Sequence, residues 1–220
     1  MILNVLKIRT CAVWPFFGDY LAHNMDEVCE HIKKLCAEDG EKFIYAYHTQ
    51  PDVDIHKFGM TSARVNEMLS DYNKQLEALA NEVSDTLFLI TSDHGMTSTT
   101  MKCVEDYPQI ENALIRHICV EPRCCSFYVK DEKEFPRIFN ETFPSKFSLF
   151  THNEFLQSGL LGEGMFHPKV EDFVGDYVAV AVSDIALWYK DNNGEFNDIK
   201  DSHGGLTEEE LTVPLIVIEK

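Results

Sequence analysis

The chain is short of positive charge: 19 Lys and Arg stand against 37 Asp and Glu, a formal charge of −18 over 220 residues. Such a surface repels a polymer of phosphates, which argues against nucleic-acid binding, and no nucleic-acid polymer is expected as a partner. An anionic substrate would need positive charge supplied locally, and a bound metal ion can supply it. CxxC pairs are missing as well, although seven cysteines are present (Cys11, Cys29, Cys36, Cys103, Cys119, Cys124, Cys125). An odd count with no secretory leader reads as reduced thiols, and the expected compartment is the cytoplasm. Residues 1–18 hold Lys7 and Arg9 but no long apolar core, so neither a signal peptide nor a membrane span is expected. Internal repeats and low-complexity tracts are absent too.

What is present is the composition of a folded protein. A hydrophobic fraction of 45% with 11% aromatics excludes a disordered class. The length suits one domain, or one domain carrying an insertion. Residues 24–38 place Met25, Val28, Ile32, Leu35 and Cys36 on one helical face, with Gly40 as a candidate C-cap. "KFIYAYHT" (42–49) reads as a buried strand. Residues 61–85 read as the clearest helix, capped by Thr61 or Ser62, with a stripe through Val65, Met68, Tyr72, Leu76, Leu79 and Val83. "TLFLITS" (86–92) reads as a second buried strand. Helix, strand, helix, strand in that order is the pattern of a parallel sheet with crossover helices.

Beyond residue 100 the texture changes. Residues 124–130 read as a strand, 131–143 as a helix broken near Pro136, and 146–150 as a short strand. Apolar runs at 177–183 and 185–189 precede a polar loop, and 211–219 reads as a closing strand. The expected fold class is α/β, a mostly parallel sheet flanked by helices, with a smaller α+β insertion. Residues 1–100 and 170–220 form the core in this reading, and 101–169 the insertion.

Ligands of open parallel sheets sit beyond the carboxyl ends of the strands. Three acid or imidazole groups fall there: Asp52 and His56 after strand 42–49, Asp93 and His94 after strand 86–92, and His203 before the last strand. Carboxylate oxygen and imidazole nitrogen are donors that zinc and similar ions accept. Gly59, Gly95, Gly204 and Gly205 permit tight turns beside them. Singly, such residues are more often caps, turns or structural histidines; together they read as a metal site. Asp54 competes with Asp52, which is preferred because it follows Pro51 at the strand end. His23, His31, His48, His117, His152 and His167 lack such company and read as structural or surface groups. A thiol site built from His117, Cys119, Cys124 and Cys125 is disfavoured, because adjacent cysteines crowd a tetrahedron.

"QPDVDIHKFG", "TSDHGM" and "SHGGLTEEELTVPLI", in that order, resemble the last three metal motifs of the alkaline phosphatase superfamily, and most closely those of its type I phosphodiesterase/nucleotide pyrophosphatase branch. The resemblance covers roughly residues 40–100 and 170–220. It implies an alkaline-phosphatase-like core and two divalent ions, most simply zinc, in a complete domain. Asp52, His56 and His203 match the ligands of one ion, and Asp93 and His94 match ligands of the other. One well-formed site is therefore expected in this chain. Gln50 stands where an acidic residue often precedes Pro-Asp, and Ile55 where Gly commonly precedes the ligand His; neither departure removes a ligand. The insertion would correspond to the variable cap that helps select substrate.

The same resemblance leaves parts unmatched. A complete site adds an Asp at the end of an early strand and a Thr or Ser nucleophile opening a following helix. Residues 1–23 show no such pair: Asp19 follows no periodic strand, and Thr10 has no ligand partner. No catalytic nucleophile is identified, and the hydroxyl cluster Thr97–Thr100 reads as a polar loop or helix cap. The expectation is the C-terminal part of a metal-dependent phosphoester hydrolase acting on a phosphoester or nucleotide-like small molecule. The core it leaves exposed would be covered by a missing N-terminal portion or by a homodimer. The alternative is a catalytically inactive metal-binding or interaction module of the same fold.

Overall fold

The computed structural model describes residues 8–220, so Lys7 and the rest of residues 1–7, which entered the leader reading, lie outside the described residues. The chain divides into two compact units, Met1–Ser92 with Pro214–Lys220, and Asp93–Val213.

In the first unit, β1 (Arg9–Trp14) lies between β2 (Tyr20–Leu21) and β3 (Lys42–Ala46), both parallel to it. β1 alternates: Cys11 and Val13 are buried while Thr10 and Ala12 turn the other way. The buried pair packs with Ala22 and with Val28 and Leu35 of helix α1 (Met25–Cys36), the crossover from β2 to β3. Asn24 caps α1 by accepting from the Glu27 amide. The helix closes at Ala37, and Gly40, at φ +89°, sits in the bend beyond it rather than capping it. A strand before Asp19 was not expected. "CAVW" is a run of only four apolar residues, and Asp19 serves it by accepting the Ala12 amide at 2.8 Å.

Helix α2 (Asp52–Phe58) follows β3 after a short turn. Helix α3 (Ala63–Glu82) begins at Ser62, which accepts from the Val65 amide. β4 (Leu87–Thr91) and β13 (Leu215–Glu219) pair antiparallel, with Leu89 opposite Val217. Leu76 and Ala80 of α3 face Ile90, Ile216 and Ile218 across a cleft of about 380 Å³. β3 and β4 are shorter than expected and are not buried strands. Phe43, Tyr45, Leu87 and Leu89 are exposed. Helices cover one face of each strand among the described residues, and the other face stays open.

In the second unit, β7 (Cys119–Glu121), β8 (Cys124–Phe127), β10 (Tyr177–Ala181) and β9 (Phe147–Thr151) form an antiparallel sheet in that order. Helix α5 (Phe135–Thr142) lays Phe135 and Phe139 against Phe127, with centroids 5.3 Å away in each case. Pro136 opens this helix rather than breaking it, because the first turn needs no proline N–H. Short helices α4 (Pro108–Glu111), α6 (His152–Gln157) and α7 (Glu208–Leu211) belong to the same unit, α6 leading from β9 toward β10. β6 (Thr100–Cys103) runs parallel to β11 (Ile185–Trp188), and β5 (Thr97–Ser98) pairs antiparallel with β12 (Asp201–Ser202). The strand at 177–181 thus shares its sheet with 124–127 and 147–151, so the compact unit extends past residue 169. No helix among the described residues is long and apolar enough to cross a membrane.

Candidate metal centre

The first unit supplies one carboxylate–imidazole pair. Asp52 and His56 lie one turn apart on α2, and their Oδ1 and Nε2 atoms are 3.4 Å apart. Positions i and i+4 share a helix face, so the local fold sets this approach. Two donors on one tetrahedral ion, each about 2.1 Å from it, are about 3.4 Å apart. The pair therefore has chelate spacing. Asp54 has a different job: it is buried, paired with Arg64, and its amide donates to Gln50 Oε1 at 3.1 Å. Gln50 thus holds the start of α2.

The second unit brings Asp93, His94 and His203 together at one cleft of about 440 Å³, which Cys124, Phe155 and Val180 also line. The β5–β12 pairing does this, setting Thr97 opposite Ser202 and so aligning the loops on either side. Thr97 and Ser98 are therefore strand residues, not a polar loop or cap. Thr100 Oγ1 is 3.1 Å from Asp184 Oδ2 and donates to it. The His94 and His203 rings stack with centroids 3.6 Å apart and planes at 20°. His94 Nδ1 donates to the Gly95 carbonyl at 3.0 Å, which makes Nε2 the lone-pair nitrogen. That nitrogen is 3.7 Å from Asp93 Oδ1. Carboxylate oxygen and imidazole nitrogen are donors that a divalent ion accepts, so the residues present fit one by type.

Close packing holds the two loops. The Gly95 amide donates to the Glu210 carbonyl at 2.8 Å, and a methyl group on Gly95 would lie 1.9 Å from the Glu209 carbonyl oxygen. The Glu210 carboxylate accepts from the Gly205 amide at 2.8 Å and from Thr207 Oγ1 at 2.7 Å. Arg123, fully buried, donates Nε and Nη2 to it at 2.6 and 2.7 Å. Burial alone would raise the Glu210 carboxyl, but the hydrogen bonds from Arg123, Thr207 and Gly205 outweigh it and hold the group below its ordinary value. Sequence reasoning missed both Arg123 and Glu210. The pattern Thr207-x-x-Glu210 is a capping box and was legible; Arg123 carried no local signal.

The remaining histidines, and every thiol but Cys124, fall outside that cleft. His48 Nε2 meets the Tyr72 hydroxyl at 3.0 Å, and burial lowers the His48 pKa. His117 stacks on Tyr189. Cys124 and Cys125 are adjacent in β8 and alternate in facing; Cys125 is fully buried and donates to the Glu121 carbonyl, while burial pushes the Cys124 thiol up to about 11.

Comparison with known proteins adds the following. The family model described as type I phosphodiesterase/nucleotide pyrophosphatase matches residues 16–204. Murine ectonucleotide pyrophosphatase/phosphodiesterase 5 is similar in structure, with a TM-score of 0.68 at 19% identity over 99% of this chain and 62% of that one. An inactive variant of the murine protein, solved in complex with AMP, has a TM-score of 0.66 at 19% identity over 97% and 61%. Phosphonoacetate hydrolase from Sinorhizobium meliloti, in complex with phosphonoformate, has a TM-score of 0.59 at 20% identity over 88% and 49%. The chain thus spans less than two thirds of the length of these relatives. The likeness establishes a shared α/β fold of the alkaline phosphatase type. A search of curated proteins finds no match.

Proposed function

This chain belongs to the type I phosphodiesterase/nucleotide pyrophosphatase family, and on that premise we propose that it is the metal-holding part of a phosphoester hydrolase. The observation that carries the reading is the chelate spacing of Asp52 with His56, whose donor atoms are 3.4 Å apart. By the order of the family motifs, Asp52, His56 and His203 would hold one ion, and Asp93 and His94 would contribute to a second. Zinc suits this nitrogen and oxygen donor set. Chemistry of this class, polarising phosphoryl oxygens and lowering the pKa of a coordinated water or hydroxyl group, is what such an ion would supply when bound. The chain's own share is to bind and to orient. His94, its Nδ1 proton committed to Gly95, presents Nε2, and the stacked His203 ring fixes the wall beside it. Phe155 and Val180 give the same cleft an apolar wall.

The substrate class is a small phosphoester or nucleotide-like molecule. The AMP complex of a relative with the same fold supports that class. The cytosol is the compartment that fits seven free thiols. A second reading, a metal-binding module without turnover, is favoured by one observation. Two of the hydroxyls beyond Asp93–His94 are structurally occupied: Thr99 donates to the Ile199 carbonyl and Thr100 to Asp184. Hydrolysis of bis(p-nitrophenyl) phosphate by the zinc-loaded chain separates the two. Turnover that disappears in Asp93→Ala supports the hydrolase; tight zinc binding with no turnover supports the module.

A further inference from the structure

We propose that Arg123 and Glu210 are positioning residues, a buried ion pair that sets the two ligand-bearing loops of the second unit, residues 93–96 and 203–207. The proposal rests on the metal-site reading for one of its two readouts. Both side chains are almost wholly removed from water, at 0% and 1% exposure. Burying two charges yields little net stability, and an apolar pair of similar volume commonly does as well. An apolar pair cannot, however, accept hydrogen bonds.

Glu210 does so at several points. Its carboxylate takes the Gly205 amide at 2.8 Å, the Thr207 amide at 3.1 Å and the Thr207 hydroxyl at 2.7 Å. Its main-chain carbonyl takes the Gly95 amide at 2.8 Å. One residue therefore fixes the chain two positions after His203 and one position after His94. Arg123 orients that carboxylate through two donors. It is itself anchored on the Ser183 and Ile185 carbonyls at 2.8 and 2.9 Å, in the turn after β10 and at the start of β11. Gly205 is caught inside the assembly: a methyl group there would lie 2.9 Å from Arg123 Nη2. The path runs from the β10–β11 turn through Arg123 and Glu210 to both imidazoles, whose rings meet at 3.6 Å. A shift in either loop would part the rings.

The test pairs zinc affinity with the ring-proton NMR shifts of His94 and His203 in the metal-free chain. In Arg123→Met/Glu210→Leu, both charges leave together. The fold is expected to persist, with a native circular dichroism spectrum and a cooperative transition. Zinc affinity is expected to fall about 10- to 100-fold, and the stacking-induced ring-proton shifts to collapse toward free imidazole values. Glu210→Gln keeps an acceptor oxygen and should give intermediate values of both, which also covers failure of the double variant to fold. A folded double variant, or Glu210→Gln, with wild-type zinc affinity and wild-type ring shifts would overturn the proposal. If the wild-type chain binds no zinc, the metal reading fails, and the ring shifts alone still decide the role of the pair.

Discussion

A methyl group on Gly95 would lie 1.9 Å from one carbonyl oxygen and 2.8 Å from another, both backbone atoms that cannot swing away. Gly95→Ala is therefore expected to destabilise the chain by about 1–3 kcal/mol, read as a lower urea midpoint. An unchanged midpoint would show that the loop relaxes freely. The glycines beside the motifs were legible as glycines, but the reason was not. Turn geometry explains Gly204, at φ +100°, whereas Gly95 and Gly205 are required by close approach between distant segments. The five candidate ligands were singled out by type and order, in stretches that also hold Pro51, Gly59, Gly95 and Gly204. Of the two competing carboxylates, Asp54 is paired with Arg64, a partner that no local pattern announced. Arg123 was illegible because its partner lies 87 positions away, and no local pattern marks a residue whose role is wholly tertiary.

Helix α7 is four residues long, far too short to hold together by its own propensity. Its capping box and the Arg123 pair hold it, and this dependence has a pH signature. The Glu210 carboxyl is held below its ordinary value of 4.5 in the folded chain. Its contribution is thus fully present above that value and is lost as the pH falls through the lowered folded pKa. The stability difference between wild type and Glu210→Gln should therefore be widest near neutrality and narrow steadily below about pH 4.5. A difference that widens on acidification would contradict this account. Elements with many turns, such as α3, were legible from periodicity alone. β5 and β12 were not, at two residues each, yet their pairing aligns the loops that carry His94 and His203. β1 fell between these cases, since a run of four apolar residues carries no period.

Leu87, Leu89, Leu215 and Val217 are between 57% and 69% exposed, and the β4–β13 register sets them on one face. Phe43 and Tyr45 are likewise open on β3. The strands were legible, but their exposure was not, because apolar runs report what a strand can bury and not whether a covering layer is present. Apolar faces of this kind mark surfaces made to be covered. We expect the chain to self-associate as its concentration rises, read by light scattering, and Leu89→Lys/Val217→Lys to restore a monomer. A wild-type chain that stays monomeric at high concentration would remove the partner from the account. The central claim is that the chain holds a divalent ion through its acid and imidazole motifs. Calorimetric titration of zinc into the chain, beside His56→Ala and His203→Ala, tests it most directly. The account predicts one tight ion per chain in the wild type and its loss in both variants. No zinc uptake by the wild type, or binding unchanged in both variants, would contradict it.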